Sequence, residues 1–115
     1  MAKIEASKEV ADQVFGAIET AKATGGKIKK GTNEVTKALE RGEAKLVAIA
    51  KDVNPPEIIM HIPVLAEEKG IPCFVVASKE ELGAAAGLHV ATTAVAVIGE
   101  GDAKKLIAEL ISMKE

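Results

Sequence analysis

The segment GGKIKKGTNEVTKALERG, Gly25 to Gly42, decides the fold because it contains the most specific pattern of turns in the chain. Its first two glycines are free to end a preceding helix in the left-handed conformation. Lys27 to Lys30 has the length of a short strand, Gly31 turns the chain, and Thr32 can cap a helix that runs to Arg41. The segment therefore predicts a strand and a helix joined by one glycine.

Periodicity and apolar runs outside this segment predict the other elements. Residues 8–24 carry apolar side chains at spacings of three and four, which indicates an amphipathic helix. Three later apolar runs indicate buried strands: Leu46 to Ala50, Cys73 to Ala77 and Ala94 to Ile98. Strands that are apolar on both faces are usually covered by helices on both sides of a sheet.

Three further helices are predicted between and after these strands. One starts at Pro56 and restarts after a break at Pro63. Another is capped by Ser78, with Glu81 three residues later, and the last begins at Asp102. Helices and strands thus alternate, which predicts an α/β fold: a three-layer α/β/α sandwich with a central mixed sheet of about four strands.

The composition fits a small soluble protein. A length of 115 residues suits one domain spanning residues 1–115, large enough to bury a core without disulfides or metal. Cys73 has no internal disulfide partner, and residues 1–5 lack an apolar signal region. We therefore expect a cytoplasmic protein without a membrane span.

The net charge of −2 hides a local concentration of cations. Residues 22–45 carry seven basic and three acidic side chains, a net of +4, so the rest of the chain carries −6. A positive segment on an acidic protein attracts a polyanion to one face and repels it elsewhere. This pattern favours a local polyanion site over a generally basic nucleic-acid coat protein.

The sequence offers little catalytic or metal-binding chemistry, since its His, Cys and carboxylate residues lack metal-ligand spacing. We expect His61, among apolar neighbours, to be a half-buried helix residue and Cys73 to be a core residue. His89 lies in a predicted loop, where either simple solvent exposure or contact with a nucleic acid fits. We therefore predict no enzymatic activity, no catalytic residues, no cofactor and no metal.

The helix after Gly31 has two faces of different chemistry. Four polar residues share one face by their spacing: Asn33, Glu34, Lys37 and Arg41. A solvated face with an ion pair between Glu34 and Lys37 is the simplest interpretation. However, Asn33 is a poor helix former that suits bidentate contact with a purine edge. Glu34 would repel phosphate but accept hydrogen bonds from bases, so this face favours contact with exposed bases.

Three segments match one known family. The most specific is KKGTNEVTKALERG, Lys29 to Gly42, supported by KLVAIAKDVNPPEIIMHIPVLAEEKGIP, Lys45 to Pro72, and VASKEELGAAAG, Val76 to Gly87. From about Val10 onward the chain thereby resembles the family of the archaeal large-subunit ribosomal protein L-seven-Ae and its relatives, which bind kink-turn RNA. The α/β/α sandwich of that family agrees with the fold predicted above.

The resemblance implies RNA contacts at particular residues. A kink-turn is a sharply bent internal loop with tandem sheared G·A pairs, whose bend exposes base edges that regular A-form RNA hides. The residues implied to meet those pairs are Gly31, Thr32, Asn33, Glu34 and Lys37. Those implied to hold the RNA backbone are Lys30 and Arg41. Those implied to surround an extruded nucleotide are Ile58, Lys79, Leu88, His89 and Val90.

The resemblance also implies partners. Members of this family serve the large ribosomal subunit, box C/D and H/ACA guide-RNA particles for rRNA modification, and RNase P, which processes tRNA. The implied partners are kink-turns in rRNA and guide RNAs, RNase P RNA and other proteins of these particles, while the free protein would be a monomer. Two features depart from the family, which commonly has Glu in place of His89 and a Tyr-containing opening in place of Met1 to Ser7.

Two other functions fit parts of the sequence. Gly26 and Gly31 have the spacing of the glycines in a phosphate-binding G-x-x-x-x-G-K-[ST] loop, although Thr32 stands where that motif needs lysine. A small α/β nucleotide-binding domain or enzyme using this loop is therefore one alternative. A protein-interaction scaffold using the surface from Pro55 to Gly70 is the other.

Overall fold

The computed structural model describes residues 4–5, 7–53 and 56–113. Within these ranges the chain forms five strands and five α-helices. The strands are β1 (Ile4–Glu5), β2 (Lys27–Lys30), β3 (Leu46–Ala50), β4 (Cys73–Val76) and β5 (Ala94–Gly99). The helices are α1 (Lys8–Ala23), α2 (Thr32–Glu40), α3 (His61–Lys69), α4 (Lys79–Ala85) and α5 (Lys104–Met113). Short 3-10 helices, Pro56–Ile58 and Gly101–Ala103, come before α3 and α5.

The strands form one mixed sheet in the order β1-β4-β3-β5-β2. Strand β4 runs parallel to β1 and β3, whereas β5 runs antiparallel to β3 and β2. At the centre of the sheet, Ala48 of β3 is paired with Phe74 on one side and with Val95 on the other. All five residues of β3 are buried, as expected for a strand covered on both faces.

Helices cover the two faces of this sheet in two groups. Helix α2 packs with α3, whereas α1 packs with α4 and α5. Aliphatic side chains dominate the core between the layers, and Phe74 is the largest side chain that is fully buried. The predicted α/β/α sandwich with a mixed sheet is therefore confirmed, with the short edge strand β1 added to the four predicted strands.

The start of α2 differs from the prediction, because Thr32 is not its N-cap. The cap is Gly31, whose φ of 95° is a conformation that L side chains rarely adopt. Thr32 is the first helical residue, and its hydroxyl oxygen lies 2.7 Å from the hydroxyl oxygen of Thr93. The helix start thus lacks a side-chain cap, which leaves its first N–H groups open to an external acceptor.

Proline is accommodated early in α3. This helix begins at His61, so Pro63 occupies its third position, where a backbone N–H would have no partner within the helix. Gly70 ends the helix in the left-handed conformation, with φ of 68°. The predicted start at Pro56 corresponds to the 3-10 turn before α3, and Pro55 lies outside the described residues.

Candidate nucleic-acid interface

The polar face predicted for α2 is exposed. All four side chains singled out from the sequence are exposed: Asn33, Glu34 and Lys37 on the helix and Arg41 at its C-cap. The residues that the helix buries are Val35, Ala38 and Leu39. Because the apolar face anchors the helix on the sheet, the polar face is held in a fixed orientation toward solvent.

An ion pair links two residues of this face. The ammonium nitrogen of Lys37 lies 3.9 Å from a carboxylate oxygen of Glu34, and their side chains are 57% and 49% exposed. A solvent-exposed pair of this kind contributes only about 0 to 1 kcal/mol. Both side chains can therefore exchange this contact for contacts with a ligand at little cost.

An open depression of about 570 Å³ lies at the start of α2. It is lined by Lys30, Gly31, Thr32, Asn33, Glu34, Ile58 and His61. The structure thus brings Ile58, from the 3-10 turn before α3, next to the polar end of α2. Ile58 is 41% exposed, so the depression combines an apolar wall with hydrogen-bonding groups and a cation.

His61 is exposed, so the expectation of a half-buried residue was wrong. It is the first residue of α3 and faces α2 instead of the sheet, with its Nε2 atom 2.7 Å from the hydroxyl oxygen of Thr36. The hydroxyl of Thr36 donates its hydrogen to the carbonyl of Thr32 at 2.7 Å, so Nε2 of His61 must be the donor to Thr36. Ile58 and His61 lie in different elements, the 3-10 turn and α3, so no periodic sequence signal indicates that they line one depression.

A second depression, of about 500 Å³, lies beside the loop after α4. It is lined by Glu80, Ala84, Leu88, His89, Val90 and Ala91. His89 is exposed and Val90 is 69% exposed. The structure therefore brings Leu88, His89 and Val90 together, as predicted for one loop, but places Ile58 in the other depression.

Hydrogen bonds connect the two regions through the residues before β5. Thr93 meets Thr32 at the start of α2, and the backbone N–H of Thr92 donates to the carbonyl of Lys79 at 3.1 Å. Lys79, half-buried at the start of α4, donates its own N–H to a carboxylate oxygen of Asp52 at 2.9 Å. The start of α2 and the region of Lys79 are thus parts of one hydrogen-bonded framework.

The segment between Gly26 and Gly31 is a strand and not a loop. Lys27 to Lys30 form β2, which is paired along its length with β5. The N–H groups of Gly26 and Gly31 are also occupied, since they donate to the carbonyls of Ala21 and Ala94, each at 2.8 Å. A phosphate-binding loop needs several free N–H groups around one concave turn, so this geometry counts against the nucleotide-binding alternative.

The cations of residues 22–45 are divided between the two helical layers. Lys22 lies on α1, and its ammonium group donates to the carbonyl of Ala86 at the end of α4, at 3.0 Å. Lys30, Lys37 and Arg41 lie instead at the α2 side of the molecule, where all three are exposed. Fewer cations therefore lie beside the first depression than the seven basic residues of this segment would indicate.

The described part of the chain offers no candidate metal centre. Residues 4–5, 7–53 and 56–113 contain no group of three or more His, Cys, Asp or Glu residues suited to a metal ion. None of the helices described for this chain is long and apolar enough to cross a membrane. Cys73 is 1% exposed in β4, as predicted for a core residue.

Comparison with known proteins identifies the family. Residues 12–107 match the family described as ribosomal protein L7Ae/L30e/S12e/Gadd45. Among solved structures, the chain is similar to the Giardia lamblia 15.5kD RNA binding protein, with 31% sequence identity and a TM-score of 0.89. That match covers 95% of this chain and 90% of the Giardia chain. The chain therefore belongs to the ribosomal protein L7Ae/L30e/S12e/Gadd45 family.

Proposed function

We propose that this protein binds RNA without catalysing a reaction, and that it recognises the kink-turn and holds RNA in the kinked form. The observation that carries the proposal is the exposed pair Asn33 and Glu34 beside the glycine cap of α2, in a depression whose other wall includes Ile58. The proposal is supported by the similarity, at 31% identity, to a solved protein named as RNA-binding.

The chemistry at the start of α2 suits exposed purine edges. The amide of Asn33 can donate and accept at once, which matches the edge of adenine. The carboxylate of Glu34 accepts hydrogen bonds from base amino and imino groups, and Lys37, one turn later, can donate to guanine acceptors. Uncapped N–H groups of the first turn after Gly31 can hold a ribose, base or phosphate oxygen.

The remaining predicted residues have two roles in this proposal. Lys30 and Arg41 flank the polar face and hold the RNA backbone, which positions the RNA without reading its sequence. Lys79 and the loop residues Leu88, His89 and Val90 contact an extruded nucleotide from one side, and Ile58, which lines the first depression, contacts it from the other. The chain has only two aromatic side chains that could stack on a base, so these contacts with the nucleobase are aliphatic instead of aromatic.

The energetic role of the protein is a population shift. A protein that binds only the kinked form of an RNA draws the RNA into that form, by an amount equal to its difference in affinity for the two forms. We propose that the RNAs are kink-turns of large-subunit rRNA, box C/D and H/ACA guide RNAs and RNase P RNA. We further propose an archaeal ribosomal protein whose chain acts as one RNA-binding domain, monomeric when free and cytoplasmic, with other proteins of these particles as partners.

A pair of RNAs tests the proposal directly. One contains a kink-turn, and the other has Watson–Crick pairs in place of its G·A pairs. We expect tighter binding to the kink-turn, by about 1 to 3 kcal/mol for each base contact that the paired RNA cannot make. With fluorophores on the two arms of the kink-turn, protein should also raise energy transfer between them. Equal affinity for the two RNAs would refute specific recognition.

The two alternatives predict different results in the same experiments. A nucleotide-binding domain would show saturable amide shifts at Gly31 and Thr32 with ATP or GTP and none with kink-turn RNA. A scaffold that uses the segment predicted from Pro55 to Gly70 would retain its function in a Lys37→Ala variant. Loss of kink-turn binding in that variant, without a nucleotide response in the wild type, supports the RNA proposal over both.

A further inference from the structure

The loop after α4 runs back along that helix. The N–H of Leu88 donates to the carbonyl of Gly83 at 2.9 Å, and the N–H of Thr92 donates to the carbonyl of Lys79 at 3.1 Å. The loop is therefore attached near both ends of α4. Between these attachments it exposes His89 and Val90 to solvent.

Gly83 allows the middle of this loop to touch the helix. A Cβ atom at Gly83 would overlap the carbonyl oxygen of Val90 and lie 3.1 Å from Cα of Ala91. Both atoms belong to the backbone, so a side-chain rotation cannot relieve the overlap, and the loop itself would have to move away from α4. Since His89 and Val90 lie in this stretch, their positions depend on the bare surface of Gly83.

Helix geometry gives no other reason for glycine at this position. Gly83 lies inside α4 and is absent from the glycines with positive φ. Glycine within a helix destabilises it relative to alanine, so helix formation alone would favour alanine here. The close approach of the loop backbone is the feature that needs glycine.

We propose that Gly83 is a positioning residue for the RNA site. It sets the distance between α4 and the loop from Leu88 to Ala91, and this distance determines how the loop contacts the extruded nucleotide. The inference rests on the proposed function for its RNA partner. The inference assigns the effect to the extruded nucleotide, because the backbone atoms that a Cβ at Gly83 would meet belong to Val90 and Ala91, whereas Asn33 and Glu34 lie on α2.

The test compares Gly83→Ala with Gly16→Ala. Gly16 is also inside a helix, but a Cβ atom there would meet nothing within 4 Å beyond its own helix. Both variants therefore gain the same helix propensity, and only Gly83→Ala displaces the loop. Each protein is titrated with three RNAs: the kink-turn, the same kink-turn without the base of the extruded nucleotide, and the Watson–Crick paired control.

We expect Gly83→Ala to bind the complete kink-turn about tenfold more weakly, which corresponds to the loss of roughly one contact. Its affinity for the RNA without the extruded base should stay within about twofold of wild type, and Gly16→Ala should resemble wild type on every RNA. In the free Gly83→Ala protein, amide shifts should be largest in residues 88–91.

Other results would overturn the inference. Equal weakening with and without the extruded base would show that Gly83 serves the fold alone, and so would a Gly83→Ala protein that does not fold. An unchanged affinity for the complete kink-turn would show that the loop position is irrelevant to binding. If wild type fails to distinguish the kink-turn from the paired control, the proposed function fails instead, whereas the amide shifts still report whether Gly83 positions the loop.

Discussion

Thr32 and Thr93 face each other with their hydroxyl oxygens 2.7 Å apart, although they are 61 positions apart in the sequence. Thr32 is the first residue of α2, and Thr93 immediately precedes β5. The contact is only partly buried, but it lies at the edge of the first depression, where Thr32 is one of the lining residues. It therefore ties the proposed base-reading end of α2 to the sheet.

Removal of this contact is expected to lower stability by a small amount. Thr93→Val keeps the shape of the side chain and deletes the hydroxyl, which should lower the free energy of unfolding by about 0.5 to 1.5 kcal/mol. Urea unfolding of Thr93→Val, Thr32→Val and the double variant measures the coupling between the two residues. If both single variants lose the same hydrogen bond, the free energy of unfolding of the double variant falls by less than the sum of the two single decreases. Strictly additive losses would show that the two hydroxyls act independently.

Replacement of Asn33 or Glu34 by alanine should weaken recognition of the G·A pairs. Because both residues are exposed, the fold should be preserved, and the affinity for a kink-turn should fall by about 1 to 3 kcal/mol. Glu40→Ala, at the exposed end of the same helix, is the matched control. Titrations with the kink-turn and with the paired RNA separate contacts with the G·A pairs from general affinity for RNA. A loss of equal size on both RNAs would contradict a base-reading role.

Arg41 should contribute to affinity through the RNA backbone. Arg41→Ala is expected to reduce the slope of log affinity against log salt concentration by about 0.7 to 0.9, which corresponds to one phosphate contact. Lys105→Ala, an exposed position on α5 in the other helical layer, should leave this slope unchanged. The measurement is a series of titrations at increasing salt. The backbone role would be refuted if both variants keep the wild-type slope.

The sequence was most informative where one local signal determines an element. Strands β2 and β3 have the predicted ends, Lys27 to Lys30 and Leu46 to Ala50, because turn residues bound the first and a continuous apolar run defines the second. The division of α2 into a polar and an apolar face also follows from a period of 3.6 residues. These features depend on neighbours in the sequence.

Features that depend on distant neighbours were missed or incomplete. His61 was expected to be half-buried because its sequence neighbours are apolar, but its ring faces Thr36 of α2. Thr32 was expected to cap its own helix, but its hydroxyl meets Thr93. The sequence around Gly83 does not indicate which backbone approaches it, and only the path of the loop shows this. Tertiary contacts of this kind leave no periodic signal.

Gly26 should be needed for the fold and not for binding a phosphate. A Cβ atom at this position would overlap the carbonyl oxygen of Gly99 and lie 2.6 Å from that of Ala21. Gly26→Ala should therefore lower the free energy of unfolding by about 1 to 3 kcal/mol, the usual cost of overpacking. Gly16→Ala, where a methyl group meets open space, is the control in the same thermal or urea measurements. A fully stable Gly26→Ala protein would contradict this role.

The ring of neutral His61 should be held in one tautomer. Thr36 gives its single hydroxyl hydrogen to the carbonyl of Thr32, so it can only accept from His61, whose Nε2 atom lies 2.7 Å away. The hydrogen is therefore expected on Nε2, which leaves Nδ1 as an acceptor. Long-range proton–nitrogen NMR spectra distinguish the two tautomers directly. Thr36→Ala should remove the preference of His61 for the Nε2 tautomer, and His89 in its exposed loop provides an internal reference. A hydrogen on Nδ1 of wild-type His61 would reverse the assigned direction of this hydrogen bond.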